Sequence, residues 1–240
     1  MKKRRLLFYN DSRHFYMYCY DPPIRLEDAW APIDEIAATQ VDTFVYCLGA
    51  GQTMFHDTRV GEIWGERFEQ FDALYAYQCA ENIKSLIDRG LDPLNVLIER
   101  AHEKGLEFFP SLRLMSSGNP EDSGSVFVSQ FKIDHPEWCQ HRSGRSNFDF
   151  SHPGVRQERF ALIEETVNSY DVDGFELDWA FEPNYFEDDE VEEKGPILTA
   201  YMREIRRMVE AAGRARGRTT SSWGRGCCRR SPAIGGLDWM

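Results

Sequence analysis

The strongest constraint on the fold is an alternation of strand-like and helix-like segments that repeats four times along the chain. The predicted strands are short apolar runs rich in β-branched and aromatic residues, and they cover residues 5–9, 43–48, 106–112 and 172–179. The predicted helices have apolar residues at three- and four-residue spacing, and they cover residues 32–40, 79–89, 94–104, 153–169 and 197–212. This alternation indicates parallel strands joined by right-handed crossovers.

Two architectures satisfy the alternation, the doubly wound sheet and the (β/α)8 barrel. The glycine fingerprint with which dinucleotide-binding sheets hold phosphate follows none of the four predicted strands. The long polar segments, residues 49–78 and 114–150, both follow strands, and in a barrel such loops build the active-site face. The sequence therefore predicts an α/β fold that is the N-terminal half of a (β/α)8 TIM barrel, with four βα units and long βα loops.

Charge divides the chain into two parts. Residues 1–212 carry 22 basic and 39 acidic residues, whereas residues 213–240 carry six Arg and one acidic residue. The apolar periodicity also ends near Gly213, although a fifth strand is due there. We expect a partial barrel over 1–212 and an atypical basic tail over 213–240, which is either a frameshift, truncation or gene-model product or a genuine flexible tail.

Composition limits the partners and the compartment. The net charge of -12 argues against a nucleic-acid partner, because such a surface needs a basic stripe. No stretch approaches the ~20 apolar residues of a membrane span, and the apolar run at 6–9 is too short for a secretory signal. We therefore expect a cytoplasmic protein without a membrane partner, although a secreted ancestor stays open. Open sheet edges of a half barrel would favour self-association.

No cofactor or metal is expected from the sequence. Cys19, Cys47, Cys79 and Cys139 lie far apart, without the spacing of a zinc site or a disulfide framework. The loop 182–193 holds seven acidic residues, but their spacing does not match a calcium-binding EF-hand loop. A solvated acidic loop is the simpler interpretation.

The fourth predicted strand contains two carboxylates that share one face. Strand alternation puts Glu176 and Asp178 on the side opposite Phe175, Leu177 and Trp179. If the apolar set packs against helices, the carboxylates point into the lumen, and Asp178 lies near the C-terminal end where barrel catalysis occurs. We predict Asp178 and Glu176 as catalytic acid/base or nucleophile, while a structural salt bridge from Glu176 to a neighbouring Arg fits equally well.

Other polar and aromatic residues near strand ends are candidates for substrate binding. Arg113 ends the third strand and can orient a carboxylate or a sugar hydroxyl, or it can pair with Glu176 or Asp178. Asn10 and Asp11 end the first strand, where they can bind hydroxyls or form a local turn. Two loop residues complete the predicted set: Trp64, as a stacking platform or a buried anchor, and Glu182.

The segment 173–180 resembles the strand-four signature of family 18 chitinases, D-G-x-D-x-D-x-E. Asp173, Gly174 and Asp178 match that signature, Glu176 replaces an Asp, and Ala180 stands where the chitinase has its catalytic Glu. A closer resemblance is to the bacterial glycosyl hydrolase-like 10 barrels, through the ordered pieces 8–11 (FYND), 45–49 (VYCLG), 110–114 (PSLRL), 135–138 (HPEW) and 148–156 (FDFSHPGVR). This resemblance covers roughly residues 5–212 and implies a TIM barrel with a carbohydrate substrate or ligand.

Three functions are therefore open. The first is a glycoside hydrolase, which normally needs two carboxylates about 5–5.5 or 6.5–9.5 Å apart. Residues two apart on a strand have Cα atoms roughly 6.5 Å apart, so Glu176 and Asp178 can form such a pair. The second is a carbohydrate-binding barrel without catalysis, and the third is an inactive fragment of a longer hydrolase.

Overall fold

The computed structural model describes residues 6–50, 52–116, 118–142 and 145–217. The strands are β1 (Leu7–Asn10), β2 (Thr43–Cys47), β3 (Gly49–Ala50), β4 (Thr53–Met54), β5 (Glu62–Ile63), β6 (Glu107–Arg113), β7 (Cys139–Arg142), β8 (Arg145–Phe148) and β9 (Glu176–Asp178). The α-helices are α1 (Leu26–Ala29), α2 (Ala31–Asp34), α3 (Leu74–Ile87), α4 (Pro93–Glu103), α5 (Gln130–Asp134), α6 (Pro153–Ser169) and α7 (Val191–Ala215). None of the helices in these four ranges is long and apolar enough to cross a membrane.

The main sheet has the strand order β1-β2-β6-β9, and every neighbouring pair is parallel. Strands adjacent in the sheet are also consecutive in the βα series, with helices between them, which is the arrangement of a barrel and not of a doubly wound sheet. The two small sheets, β3-β4-β5 and β7-β8, lie in the loops that follow β2 and β6. The fold is the predicted α/β arrangement of four βα units from a (β/α)8 barrel.

Several element boundaries differ from the sequence prediction. The helix predicted at 32–40 is regular only over α2, and β9 is three residues long although residues 172–179 were expected as a strand. Helix α7 begins six residues before the predicted start at 197 and includes Pro196. Glu192 and Glu193 in its first turn favour this early start, because carboxylates stabilise the N-terminal end of a helix. In contrast, α6 has the predicted bounds.

The predicted tail falls almost wholly outside the described residues. Helix α7 continues to Ala215, past the expected boundary at 212, and residues 218–240 are not among those described. Arg5, the first residue of the predicted first strand, also lies outside them. The proposed division into 1–212 and 213–240 therefore stays a prediction.

Side chains from the main sheet sort into two faces, as strand alternation requires. On the outer face, the rings of Phe44, Tyr46 and Phe108 contact one another at centroid distances of 5.7–6.0 Å within the helix-covered core. Leu112 and Leu177, which are paired across β6 and β9, belong to the same core. Phe175, Leu177 and Trp179 of the fourth predicted strand all belong to this core, while their packing against helices stays a prediction.

The lumen face contains a close contact at Gly174. A Cβ atom on Gly174 would lie 2.4 Å from the ring of Phe109, which is 1% exposed. Glycine at this position allows the segment before β9 to approach the lumen side chain of β6. Glu176 and Asp178, the next two residues on the lumen face, are then paired with Ser111 and Arg113 of β6.

Replacing Gly174 by Val should therefore destabilise the protein. Overpacking against Phe109 is expected to lower the free energy of unfolding by about 1–3 kcal/mol, measured by urea denaturation. The control is Gly195→Ala, where the added Cβ meets no atom within 4 Å and the stability should not fall. Equal urea midpoints for Gly174→Val and wild type would contradict the proposed packing.

Candidate functional site

The two carboxylates of β9 lie opposite polar side chains of β6. Glu176 is paired with Ser111 and Asp178 with Arg113 in the parallel register, with Asp178 and Arg113 at the C-terminal ends of their strands. Glu176 is 3% exposed and accepts a hydrogen bond from the Ser111 hydroxyl. On β6, Glu176 therefore has a hydroxyl partner, the side chain of Ser111.

Asp178 is held by backbone groups and by a cation. Its Oδ1 accepts hydrogen bonds of 3.0 Å from the backbone N–H groups of Ala180 and Phe181. Its Oδ2 lies 3.7 Å from Nε of Arg113, a distance that fits an ion pair but is long for a hydrogen bond. The loop after β9 therefore fixes the orientation of the carboxylate at the strand end.

Arg113 joins three strands at this edge of the sheet. Its Nη2 donates a hydrogen bond to Oδ1 of Asp11, which directly follows β1, and its Nε faces Asp178 at the end of β9. The guanidinium carbon lies 4.4 Å from the ring centroid of Phe181, in cation–π geometry. Burial lowers the pKa of Arg113, but Cys47, Tyr9, Asp11 and Asp178 raise it more strongly, so the guanidinium stays charged.

Two further groups, the phenol of Tyr9 and the thiol of Cys47, lie close enough to Arg113 to affect its pKa. Burial, with a smaller contribution from Cys47, raises the pKa of the Tyr9 phenol well above its usual range. Burial also raises the pKa of the Cys47 thiol, whose Sγ donates to the Gly49 carbonyl at 3.1 Å. Both side chains therefore stay protonated near neutral pH, and the lumen below Arg113 carries no extra charge from them.

The residues predicted at the end of the first strand have different environments. Oδ1 of Asn10 accepts a 2.7 Å hydrogen bond from the backbone N–H of Ser12, so Asn10 forms the local turn that was its alternative. Asp11 contacts Arg113, and its Oδ2 also lies 3.0 Å from Arg13 Nε and 3.7 Å from His14 Nδ1. We call Asp11, Arg113 and Asp178 the strand-end cluster, and Asn10 forms a turn beside it.

Trp64 has the environment of a buried anchor, which was one of its two interpretations, and not that of a stacking platform. Its side chain is 1% exposed and packs against Phe55 and Phe127, at centroid distances of 5.5 and 4.9 Å. Its indole N–H points to the Ala76 carbonyl at 3.4 Å. A loop of this length needs its own buried anchor, and Trp64 has that role.

Glu182 lies near a buried lysine that the sequence analysis missed. Lys132 of α5 is 0% exposed, its Nζ donates a 2.7 Å hydrogen bond to the Ser116 carbonyl, and it lies 4.9 Å from the ring centroid of Phe148. Burial lowers the pKa of Lys132 to about 8, and Glu182 partly opposes the shift. Lys132 thus connects α5 to the segment after β6. No sequence signal marks it, because lysine is seldom buried.

Across the described ranges, no group of three or more His, Cys, Asp or Glu side chains is arranged to hold a metal ion. The strand-end cluster combines the Arg113 guanidinium with the carboxylates of Asp11 and Asp178. Such a set can donate to and accept from the hydroxyl groups of a polar ligand.

Comparison with known proteins identifies relatives of this chain. The family model described as glycosyl hydrolase-like 10 matches residues 33–196. A relative described as Glycosyl hydrolase YngK, from Bacillus subtilis (strain 168), is 32% identical over 102 residues. That match covers 40% of this chain and 19% of the relative, so it spans about a fifth of the relative's length.

Two glycosidases are among the solved structures that match this chain. Alpha-L-fucosidase isoenzyme 2 from Paenibacillus thiaminolyticus has a TM-score of 0.54 at 15% identity, over 87% of this chain and 31% of the fucosidase chain. A GH36 alpha-galactosidase from Geobacillus stearothermophilus has a TM-score of 0.48 at 14% identity, over 88% of this chain and 26% of that one. At this identity the likeness to the fucosidase concerns the fold alone.

Lys132 should make stability depend on pH in the alkaline range. Its folded pKa of about 8 lies below the unfolded value of about 10.4, so the unfolded state binds more protons between these values. Between pH 7.5 and 9.5, wild type should gain about 2 kcal/mol of unfolding free energy relative to Lys132→Met, measured by urea denaturation. Lys104→Met, which removes a partly exposed lysine, serves as the control. Parallel pH profiles for wild type and Lys132→Met would rule out a depressed pKa.

Proposed function

Because the chain belongs to the glycosyl hydrolase-like 10 family, we propose that it binds a carbohydrate, and hydrolyses it, at the C-terminal ends of β1, β6 and β9. In barrel enzymes this end of the strands carries the active site, whereas the opposite end serves stability. Asp11, Arg113 and Asp178 converge there. These three residues are the proposed contacts with the sugar.

The observation that carries this proposal is the spacing between Arg113 and Asp178. Arg113 Nε and Asp178 Oδ2 are 3.7 Å apart, and both side chains are largely buried but keep 11% and 13% of their area exposed. A sugar hydroxyl can donate to the carboxylate and accept from the guanidinium at the same time. Recognition of hydroxyl groups by such paired donors and acceptors suits a carbohydrate ligand.

Asp178 is the proposed nucleophile or electrostatic stabiliser of the reaction. Its Oδ1 accepts hydrogen bonds from two backbone N–H groups. The orientation of the carboxylate is therefore fixed before the substrate binds. Glycoside hydrolysis develops positive charge on the sugar ring in an oxocarbenium-like transition state. A carboxylate held at the strand end stabilises that charge, or attacks the anomeric carbon directly.

Glu176 is the proposed second carboxylate, one lumen position deeper. A backbone separation of roughly 6.5 Å between alternate strand residues is compatible with a catalytic pair. The Ser111 hydroxyl fixes the Glu176 carboxyl group. As general acid, Glu176 would protonate the leaving oxygen and then recover its proton from the water that completes hydrolysis.

Carbohydrate binding without catalysis is the second candidate function. Glu176 is 3% exposed, which limits access of a glycosidic oxygen to its carboxyl group. In addition, Ala180 occupies the position of the catalytic Glu in the chitinase-like signature. In this case Asp178, Asp11 and Arg113 would bind sugar hydroxyls, and no turnover would follow.

Substitution of Asp178 by Asn should remove turnover. We expect the hydrolysis rate to fall by about 10²–10⁴-fold, because the substitution removes the carboxylate charge while keeping the side-chain shape. The assay is hydrolysis of a panel of nitrophenyl glycosides and oligosaccharides by the intact chain. Asp189→Asn, in the exposed acidic loop, is the matched control and should keep the wild-type rate.

Three outcomes separate the candidates. Equal rates for Asp178→Asn and wild type would contradict the catalytic role of Asp178. Saccharide binding in calorimetry without hydrolysis of any panel member would support the binding protein. Absence of both binding and hydrolysis would exclude both candidate functions for the intact chain.

A further inference from the structure

Three neighbouring rings, two of them exposed and one partly buried, lie on the segment after β1 and on the first turn of α3. Tyr18 is 63% exposed, and the side chain of His14 is 60% exposed. The rings of His14 and Tyr18 are stacked, with centroids 5.8 Å apart and an interplanar angle of 22°. The partly buried ring of Tyr75 follows at 6.3 Å from that of Tyr18, tilted by 48°. We call His14, Tyr18 and Tyr75 the aromatic row.

The aromatic row begins at the proposed sugar site. Nδ1 of His14 lies 3.7 Å from Oδ2 of Asp11, and Asp11 accepts a hydrogen bond from Arg113. Arg113 in turn faces Asp178. A continuous series of contacts therefore leads from the proposed catalytic carboxylate, over the end of β1, to Tyr18 and Tyr75.

The local backbone holds Tyr18 in this exposed position. Tyr18 belongs to a single π-helical turn, Phe15–Cys19, in which Phe15, Tyr16 and Met17 are buried. The side-chain amide of Asn82, on α3, donates hydrogen bonds to the carbonyls of Tyr16 and Tyr20 at 3.1 and 2.8 Å. Turns of this type occur often at functional sites. The turn is fixed to α3 on both sides of Tyr18, so the exposure of the ring is built into the fold.

We propose that the aromatic row is a stacking platform for an oligosaccharide that extends from the strand-end site. The face of a sugar ring carries C–H groups, which pack on the face of an aromatic ring, while its hydroxyl groups stay in water. Three rings in a row fit a chain of sugar units and exceed what a single sugar can cover. The inference rests on the proposed carbohydrate function and adds that the ligand is an oligosaccharide or polysaccharide.

The test is the dependence of affinity on chain length. The probes are cello-, xylo-, manno- and malto-oligosaccharides of one to six units, titrated into the intact chain by calorimetry. For the series that binds, Tyr18→Ala should raise the Kd of the hexasaccharide about tenfold, which corresponds to about 1.4 kcal/mol, and should leave the monosaccharide Kd unchanged. Tyr18→Phe keeps the ring and should bind the hexasaccharide as wild type does.

Tyr77→Ala is the matched control, because Tyr77 is a 44% exposed aromatic on α3 that contacts Phe71 and not the aromatic row. Its hexasaccharide Kd should equal that of wild type. A hexasaccharide that binds with the same Kd to wild type and Tyr18→Ala overturns the platform and leaves the proposed function standing. Failure of all the saccharides to bind overturns the platform together with the proposed function.

Discussion

The proposed strand-end site depends on the ion pairs that the guanidinium of Arg113 forms with two carboxylates. The Arg113 side chain is 11% exposed at the end of β6, where a cation requires partners, and it finds them in Asp11 after β1 and Asp178 at the end of β9. The ends of three strands are thereby brought to one point. Because the same guanidinium packs under Phe181, the loop after β9 is held over the cluster as well. The site is thus a consequence of how a partly buried charge is neutralised.

Strand periodicity made the arrangement at the centre of the proposed site predictable. An alternation of two places Glu176 and Asp178 on one face, and the register with Ser111 and Arg113 bears this out. Helix α6 was equally predictable, since a proline at its start and regular apolar spacing mark both ends. These features are local, so the sequence contains the information that determines them.

The loops were less predictable, because long-range contacts decide their structure. The sequence leaves open whether Trp64 is a stacking platform or a buried anchor, and its contact with Phe127, more than sixty positions away, decides for the anchor. Lys132 donates its hydrogen bond to the backbone carbonyl of Ser116, and a backbone acceptor cannot be recognised from the sequence of side chains. Asn10 and Asp11 are neighbours with similar chemistry, and only the location of Arg113 separates a turn former from a member of the site.

The most direct test of the carbohydrate site is a crystal structure of the intact chain with the saccharide that binds most tightly. We expect a sugar ring with hydroxyl groups within hydrogen-bond distance of Asp178 and Arg113, and further units running past His14 toward Tyr18. A saccharide bound at the opposite ends of the strands, or at a surface remote from β6 and β9, would contradict the account.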